Sequence, residues 1–199
     1  MGGRGRSNPL ALAVLGCVYE RSMHPYDMAA TMKSRGQHES IKLNYGSLYT
    51  VVESLQRRGL IEPIETVREG RRPERTIYAI TEAGKVEFLD WLSDLIGDPV
   101  KEYTQFEAGL TLLAALPPDD ALTLLKARRM RLALDLESMR SAVGLATQEG
   151  VPRVFLVEVE YRIALRSAEV EWVDKLIRDI DNGTLDGIDR WRAFHADHD

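Results

Sequence analysis

Residues 44–84 read NYGSLYTVVESLQRRGLIEPIETVREGRRPERTIYAITEAG, and this stretch decides the fold of the chain. The apolar residues at the start of this stretch recur at the spacing of a helix. Residues 60–67 and 75–80 instead have the composition of β-strands. The segment REGRRPE between the two strand runs holds Gly70 and Pro73, which favour a turn. We therefore predict a helix, an arginine-rich hairpin and a second helix, in that order.

The first helix of this stretch has two distinct faces. Asn44 is a favourable N-cap, and Gly59 ends the helix after about residue 58. The i, i+3, i+4, i+7 pattern of a buried stripe is formed by Leu48, Val51, Val52 and Leu55. The opposite face carries Ser47, Thr50, Ser54 and Arg57, with Tyr49 at its edge. A helix of this size fits the DNA major groove, where Ser, Thr and Asn side chains hydrogen-bond to base edges.

The segments on either side complete a small domain. Residues 10–18 and 23–33 predict two further helices, the first of them apolar on nearly all sides and therefore buried. Thr81 is the N-cap of another helix, and the Gly-Asp-Pro sequence at 97–99 breaks the chain. These elements predict an N-terminal winged helix-turn-helix domain over residues 1–97. The expected fold class is therefore mainly α with a small β-hairpin wing.

The second part of the chain is predicted to be all helix. Residues 104–116 indicate one short helix. Two longer segments, 122–146 and 156–180, carry apolar seams that alternate steps of four and three, which is the pattern of a coiled coil. The short connection between them contains Gly150 and Pro152, so we expect an antiparallel helical hairpin.

This hairpin has more apolar surface than one pair of helices can cover. A second copy of the chain, packed through a C2 interface, is the simplest cover. We therefore assign residues 98–183 to a helical, coiled-coil-like dimerisation domain and residues 184–199 to a mobile tail. The residues expected at the dimer interface are Leu156, Val159, Ile163, Val170, Trp172, Val173 and Ile177. Arg129 and Arg166 interrupt the seams, and we expect them to reach the seam edge or fix its register.

The net charge of −5 conceals an asymmetry between the two parts. Residues 1–85 hold 13 Lys and Arg against 9 Asp and Glu, whereas residues 86–199 hold 13 against 22. A mildly basic first part suits a nucleic-acid partner. No apolar run approaches the ~18 residues of a membrane span. Cys17 is the only cysteine, which fits a reducing cytoplasm, and its apolar helical neighbours indicate a buried thiol.

Catalysis is not expected from this sequence. The four histidines are His24, His38, His195 and His198. None of them has a carboxylate or cysteine at the spacing of a metal site or a catalytic triad, and no phosphate-binding loop motif occurs. We therefore expect no enzyme activity, no metal and no cofactor.

Basic residues form a group around the polar-faced helix and the hairpin. Those flanking the helix or lying on the hairpin tip are Lys42, Arg57, Arg58, Arg71, Arg72 and Arg75. Such side chains bind DNA phosphates, which supply affinity and position. Double-stranded DNA is the partner that this group predicts. The alternative is a helical protein-interaction module in which the winged helix is only a scaffold, and a weak dependence of binding on salt would favour it.

Four motifs resemble the winged-helix domain of PadR-family transcriptional regulators. They are LALAVLGCVYE at 10–20, MHPYDMAATMK at 23–33, GSLYTVVESLQRRGLIE at 46–62 and GRRPERTIYAITEAG at 70–84. The resemblance spans about residues 8–96, and the helical remainder is similar to the family's C-terminal dimerisation region. It implies a homodimeric repressor of a palindromic operator that releases DNA when a small molecule or stress signal arrives.

The resemblance also implies which residues meet DNA. Together with the basic group, it indicates Tyr26, Lys42, Asn44, Ser47, Tyr49, Thr50, Arg71, Arg72 and Arg75. Tyr26 and Tyr49 are expected at the DNA backbone. Thr50 stands where the family often has proline. Because threonine keeps its N–H and adds a hydroxyl, we expect the base preference at that position to differ.

A small effector is a further expected partner. Aromatic residues that would line an apolar pocket between the winged helix and the helical hairpin are Trp91, Tyr103, Phe106, Phe155, Tyr161 and Trp172. A planar hydrophobic or phenolic molecule would suit such a pocket, an expectation that rests on the resemblance. Aromatic residues at this spacing also occur as ordinary core, and the sequence leaves that alternative open.

Overall fold

The computed structural model describes residues 8–67 and 75–196. The chain divides into two compact units, residues 1–101 and 102–199. The first unit contains α1 (Pro9–Glu20), α2 (Pro25–Ser34), a 3-10 turn (Gln37–Glu39), α3 (Tyr45–Arg57), β1 (Ile61–Val67), β2 (Arg75–Ile80) and α4 (Glu82–Gly97). The second contains α5 (Gln105–Leu110), a 3-10 turn (Leu113–Ala115), α6 (Pro118–Gln148), a 3-10 turn (Arg153–Phe155), α7 (Val157–Asp181) and α8 (Ile188–Ala196). The predicted fold class, mainly α with a small β-hairpin, is confirmed.

The core of the first unit is built around α1. This helix is apolar on most sides because α2, α3, α4 and β2 all pack against it. Its fully buried residues include Val14 and Leu15, and Trp91 of α4 joins the same core. Cys17 is buried there as predicted, and burial raises the pKa of its thiol to about 11. The thiol is therefore protonated at neutral pH and unreactive, as a buried apolar residue would be.

The two strands form an antiparallel hairpin close to the lengths that the sequence predicted. Ile61 pairs with Ile80, and the register shifts by one residue between Pro63 and Glu65. Proline is tolerated there because a two-stranded sheet leaves one edge of each strand free of ladder hydrogen bonds. Gly84, in the first turn of α4, packs so closely that an added Cβ would lie 2.0 Å from the Leu60 carbonyl oxygen. Only glycine fits this position, so it fixes the approach of α4 to the hairpin.

The second unit is an antiparallel helical hairpin, as the heptad pattern predicted. Helices α6 and α7 pack along their seams, with Leu125, Leu132, Val173 and Ile180 buried between them or beside α8. Both seam arginines form ion pairs near the seam. Arg129 Nε donates to Asp174 Oδ1 across the two helices at 2.9 Å, and Arg166 pairs with Glu169 one turn along α7. The register role predicted for Arg129 agrees with this contact between helices.

One predicted helix is divided in the structure. The sequence indicated a single helix over 104–116, but α5 ends at Leu110 and a 3-10 turn follows at Leu113–Ala115. Gly109 weakens the helix, and the Thr111 hydroxyl donates to the Ala108 carbonyl oxygen at 2.7 Å. This side-chain bond competes with continuation of the α-helical ladder.

The predicted tail also differs from the structure. Residues 188–196 form α8, whereas the sequence was interpreted as a mobile tail over 184–199. Ile188 is buried in the core of the second unit, and Trp191 Nε1 donates to the Leu116 carbonyl oxygen at 2.8 Å. Ile188 and Trp191 lie three positions apart and so share one helix face. Two residues are too few for periodicity to distinguish a short helix from a polar tail. Among the described helices, none combines the length and the apolar character that crossing a membrane requires.

Candidate nucleic-acid interface

Helix α3 presents a polar face that begins at a well-formed cap. Asn44 has extended backbone angles, and its Oδ1 accepts a hydrogen bond from the Ser47 N–H at 2.8 Å. The predicted apolar stripe is buried in full: Leu48, Val51, Val52 and Leu55. Burial of this stripe leaves Ser47, Thr50 and Arg57 exposed on the opposite side. The sequence therefore predicted both the cap and the two faces correctly.

Thr50 lies at the centre of the exposed face, and its hydroxyl is held in place. Thr50 Oγ1 donates to the Gly46 carbonyl oxygen at 3.1 Å. With its proton committed to the backbone, the oxygen presents acceptor lone pairs outward, beside the side-chain methyl group. An acceptor and a methyl group suit a base-edge amino group and a thymine methyl respectively.

An exposed tyrosine and lysine cluster flanks the N-terminus of α3. Tyr26, Tyr45 and Tyr49 are 57%, 44% and 45% exposed. The rings of Tyr26 and Tyr45 stack with centroids 6.3 Å apart. Lys33 Nζ lies 3.5 Å from the Tyr45 hydroxyl oxygen and 4.9 Å from the centre of its ring. An ammonium group and phenolic hydroxyls on one exposed surface match the donors that bind DNA phosphates.

Two members of this cluster were missed by the sequence analysis. No role was predicted for Tyr45, and Lys33 was predicted only to end the second helix. Their contact joins residues 12 positions apart, so neither helical period signals it. An aromatic residue directly after the N-cap, outside the apolar stripe, is the one local sign that Tyr45 is exposed.

The basic residues predicted around α3 have different surroundings. Lys42 is exposed just before the cap, and Arg57 is exposed at the other end of the helix. Arg58 instead donates to Glu87 of α4 at 2.9 Å, which offsets its charge. Glu53, an acidic residue of α3 that lies between Lys42 and Arg57 in the sequence, is also exposed. Burial, and secondarily the Glu53 carboxylate, raise the pKa of Tyr78.

The predicted wing arginines lie mostly outside the described residues. Arg71 and Arg72 fall in residues 68–74, which the structure does not describe. Arg75 is the first residue of β2, and its backbone pairs with Val67. Their contact with phosphates stays a prediction.

A comparison with models of protein families matches the segment of the chain that carries this surface. The model of the transcriptional regulator PadR-like family matches residues 14–90. Residues 14–90 are therefore the part of the chain that is similar to the PadR-like family. The matched residues run from α1 through α3 and the hairpin into α4, so the PadR-like domain contains the cap, the polar face and the tyrosine cluster. No curated protein is similar enough in sequence to match the chain.

Solved structures share the fold over most of the chain. Bacillus subtilis PadR in complex with operator DNA has 19% identity and a TM-score of 0.70, covering 87% of this chain and 99% of that one. The same protein with p-coumaric acid has 17% identity and a TM-score of 0.70, covering 86% and 98%. Vibrio cholerae virulence activator AphA has 14% identity and a TM-score of 0.67, covering 87% and 98%. At these identities the likeness shows the fold of the PadR-like regulators.

The residues predicted for dimerisation occupy different places in the second unit. Val173 is fully buried, and Val170 and Ile177 pack beside it in the chain's own core. Leu156, Val159 and Ile163 are half-buried, whereas Trp172 is exposed. Val173 is therefore used within the hairpin and is not available to a second copy. The heptad pattern marks a seam, but it does not show which helix fills that seam.

The residues predicted for an effector pocket are divided between the two units, with Trp91 in the first and the other five in the second. Trp91 lies in the core of the first unit, and its Nε1 has no hydrogen-bond partner among the described residues. In the second unit Phe106 contacts Trp172 edge to face at 6.2 Å, and the Arg128 guanidinium carbon lies 3.6 Å from the centre of the Phe106 ring. Tyr103, Phe155 and Tyr161 are exposed. Within the described ranges, no group of His, Cys, Asp or Glu side chains has metal-binding geometry.

Proposed function

We propose that the protein is a homodimeric, sequence-specific DNA-binding transcriptional regulator that represses a palindromic operator. The capped, exposed polar face of α3 is the observation that carries this proposal. Ser47 and Thr50 on this face would meet base edges in the major groove. Tyr26, Tyr45 and Lys33 beside it would bind the adjacent phosphates.

The charge distribution supports contact between this part of the chain and DNA. Residues 1–85 carry 13 basic against 9 acidic residues, although the whole chain has a net charge of −5. Cationic side chains that neutralise phosphates release counterions, so affinity falls as salt rises. The similar fold of Bacillus subtilis PadR, solved with operator DNA, is consistent with this use of the domain.

A second copy of the chain would cover an apolar stripe on α7. Val157, Tyr161, Leu165 and Trp172 are all about half exposed or more. Their spacings of four, four and seven place them on one face of the helix, away from the buried Val173. A C2 dimer through this stripe would present two α3 helices to two half-sites about 34 Å apart.

A small-molecule effector would act on the geometry of this dimer. A ligand that binds one arrangement of the two reading helices better than another shifts the population toward it. The similar PadR structure with p-coumaric acid supports an aromatic effector. In this chain the ligand would release DNA by favouring a spacing that no longer matches the half-sites.

Replacing Thr50 by Val tests the proposed reading face. Valine keeps the shape and a similar helix propensity but removes the hydroxyl acceptor. We expect a loss of preference at one base pair of about tenfold to a hundredfold, with non-specific affinity unchanged. The measurement is fluorescence anisotropy with an enriched duplex and its single-base variants. An unchanged base preference would remove Thr50 from the reading face.

Replacing Lys33 by Ala tests the phosphate contacts separately. Affinity should fall for all duplexes, and the slope of log affinity against log salt should become shallower by about one. Lys175→Ala, an exposed change on α7, is the matched control and should change neither quantity. If DNA binding does not depend on salt or on Lys33, the winged helix is better explained as a protein-interaction scaffold, which the exposed Glu53 would also suit.

A further inference from the structure

The outward line of α3 includes an acidic residue that the sequence did not predict there. The exposed residues farthest from the buried stripe are Gly46, Thr50, Glu53 and Arg57. Ser54, which was predicted for this face, is half-buried instead. The successive steps of four, three and four residues keep the exposed set on one line along the helix. A DNA groove that meets Thr50 therefore meets Glu53 as well.

The Glu53 carboxylate is unpaired among the described residues. It forms no hydrogen bond and no ion pair there, not even with Arg57 one turn further along. An ion pair at this i, i+4 spacing would have explained Glu53 as an ordinary stabiliser of the helix. The Tyr78 phenol, whose pKa is raised by burial and secondarily by this carboxylate, is uncharged at neutral pH and offsets nothing.

An uncompensated carboxylate on a helix that binds DNA has an energetic cost. At about 4 Å from a phosphate, its charge weakens binding by about fivefold. A hydrogen-bond donor on the DNA would offset this cost, because a carboxylate can only accept. The donors that bases present in the major groove are the amino groups at N4 of cytosine and N6 of adenine.

The base edges distinguish these two donors. The adenine amino group lies beside the N7 acceptor, and N7 repels a carboxylate because neither atom carries a proton to share. Cytosine presents its amino group without an acceptor on the same edge. A side chain that only accepts hydrogen bonds therefore favours cytosine.

We propose that Glu53 selects cytosine in the operator by accepting a hydrogen bond from the N4 amino group of that base. This inference rests on the proposed function, because that function places α3 in the major groove. Glu53 lies three residues after Thr50, or about 4.5 Å along the helix axis, which is little more than one base-pair step of about 3.4 Å. The two side chains therefore reach the same or neighbouring base pairs.

Selection from a randomised duplex library, with the full-length parent and Glu53→Gln in parallel, tests this assignment. Glutamine keeps the size of the side chain, removes the charge and adds an amide donor. Because an amide pairs with adenine through N6 and N7, one position of each half-site should change from cytosine to adenine.

Fluorescence anisotropy on the enriched duplexes gives the magnitudes. The parent should prefer cytosine at that position by about fivefold to tenfold, and Glu53→Gln should lose this preference. Affinity of the variant for random duplexes should rise by about twofold to fivefold at low salt, because a charge that repels phosphates is removed.

Asp90→Asn is the matched control. Asp90 is an exposed carboxylate of α4 that is likewise unpaired in the part of the chain that the structure describes, and its replacement makes the same change in net charge. This variant should keep every base preference of the parent. Circular dichroism would verify that both variants retain their helices.

The possible failures separate this inference from the proposed function. A parent that enriches no sequence contradicts the proposed function, and the inference with it. A parent that enriches an operator while Glu53→Gln shows the same preference at every position overturns the inference alone. Equal weakening of all duplexes by Glu53→Gln also overturns it, because the residue would then support the fold of α3 and read no base.

Discussion

Replacement of Asn44 separates the stability of α3 from its contact with DNA. In Asn44→Ala, the hydrogen bond from the Ser47 N–H to Asn44 Oδ1, now 2.8 Å long, is lost. Loss of an N-cap costs about 1 kcal/mol, within a range of roughly 0.5–2 kcal/mol. For a unit of about 100 residues this lowers Tm by roughly 4–8 °C. Because the freed turn carries Tyr45 and Ser47, we expect DNA affinity to fall as well.

Asn44→Asp should weaken DNA binding without a loss of stability. The carboxylate retains the cap and interacts favourably with the helix N-terminus, adding about 0.3–1 kcal/mol. A negative charge near a phosphate at about 4 Å costs on the order of 1 kcal/mol in water, or about fivefold in affinity. Asn44→Asp should therefore be at least as stable as the parent and bind DNA at least fivefold more weakly.

Thermal unfolding by circular dichroism and anisotropy on one duplex test both variants. Thr104→Ala, which removes the cap of α5 in the second unit, is the control for stability loss without a DNA contact. Parental DNA affinity in Asn44→Asp would refute the claim that the N-terminus of α3 faces DNA. Parental stability in Asn44→Ala would refute the energetic role assigned to the cap.

Three further predictions concern packing, assembly and the wing. Gly84→Ala should destabilise the chain by about 2–4 kcal/mol in urea unfolding, because the added Cβ would meet the backbone. Gly144→Ala, where nothing lies close to the added Cβ, should stabilise the chain by about 0.5–1 kcal/mol. Equal effects of the two changes would refute the close packing of α4. Leu165→Glu should yield a monomer with unchanged helix content in sedimentation, and a persistent dimer would move the interface away from the α7 stripe. Arg72→Ala combined with Arg75→Ala should weaken binding to all duplexes and flatten the salt slope by about two, and an unchanged slope would exclude both from phosphate contact.

Local signals explain what the sequence could predict. The cap at Asn44, the positive φ of 70° at Gly59 and the stripe of α3 all follow from residues within one helix. The same holds for the two strands and for the hairpin of α6 and α7. Each of these helices and strands has its signal within its own segment, so propensity and periodicity suffice, and the short connection between α6 and α7 adds their antiparallel pairing.

Contacts between segments explain what the sequence could not predict. The contact of Lys33 with Tyr45 depends on how α2 packs against α3. The residue pattern within either helix alone does not predict this contact. Helix α8 forms because Ile188 and Trp191 find partners in the rest of the unit. The heptads of α7 could not show that Val173 faces its own chain, because a seam has the same spacing whichever helix fills it.

Unbiased selection of DNA sequences by the purified full chain, at low and moderate salt, tests the central claim most directly. The account predicts enrichment of an inverted repeat whose half-sites are about one helical turn apart, with affinity that falls steeply as salt rises. Selection that enriches no sequence at either salt concentration would contradict a reading role for α3.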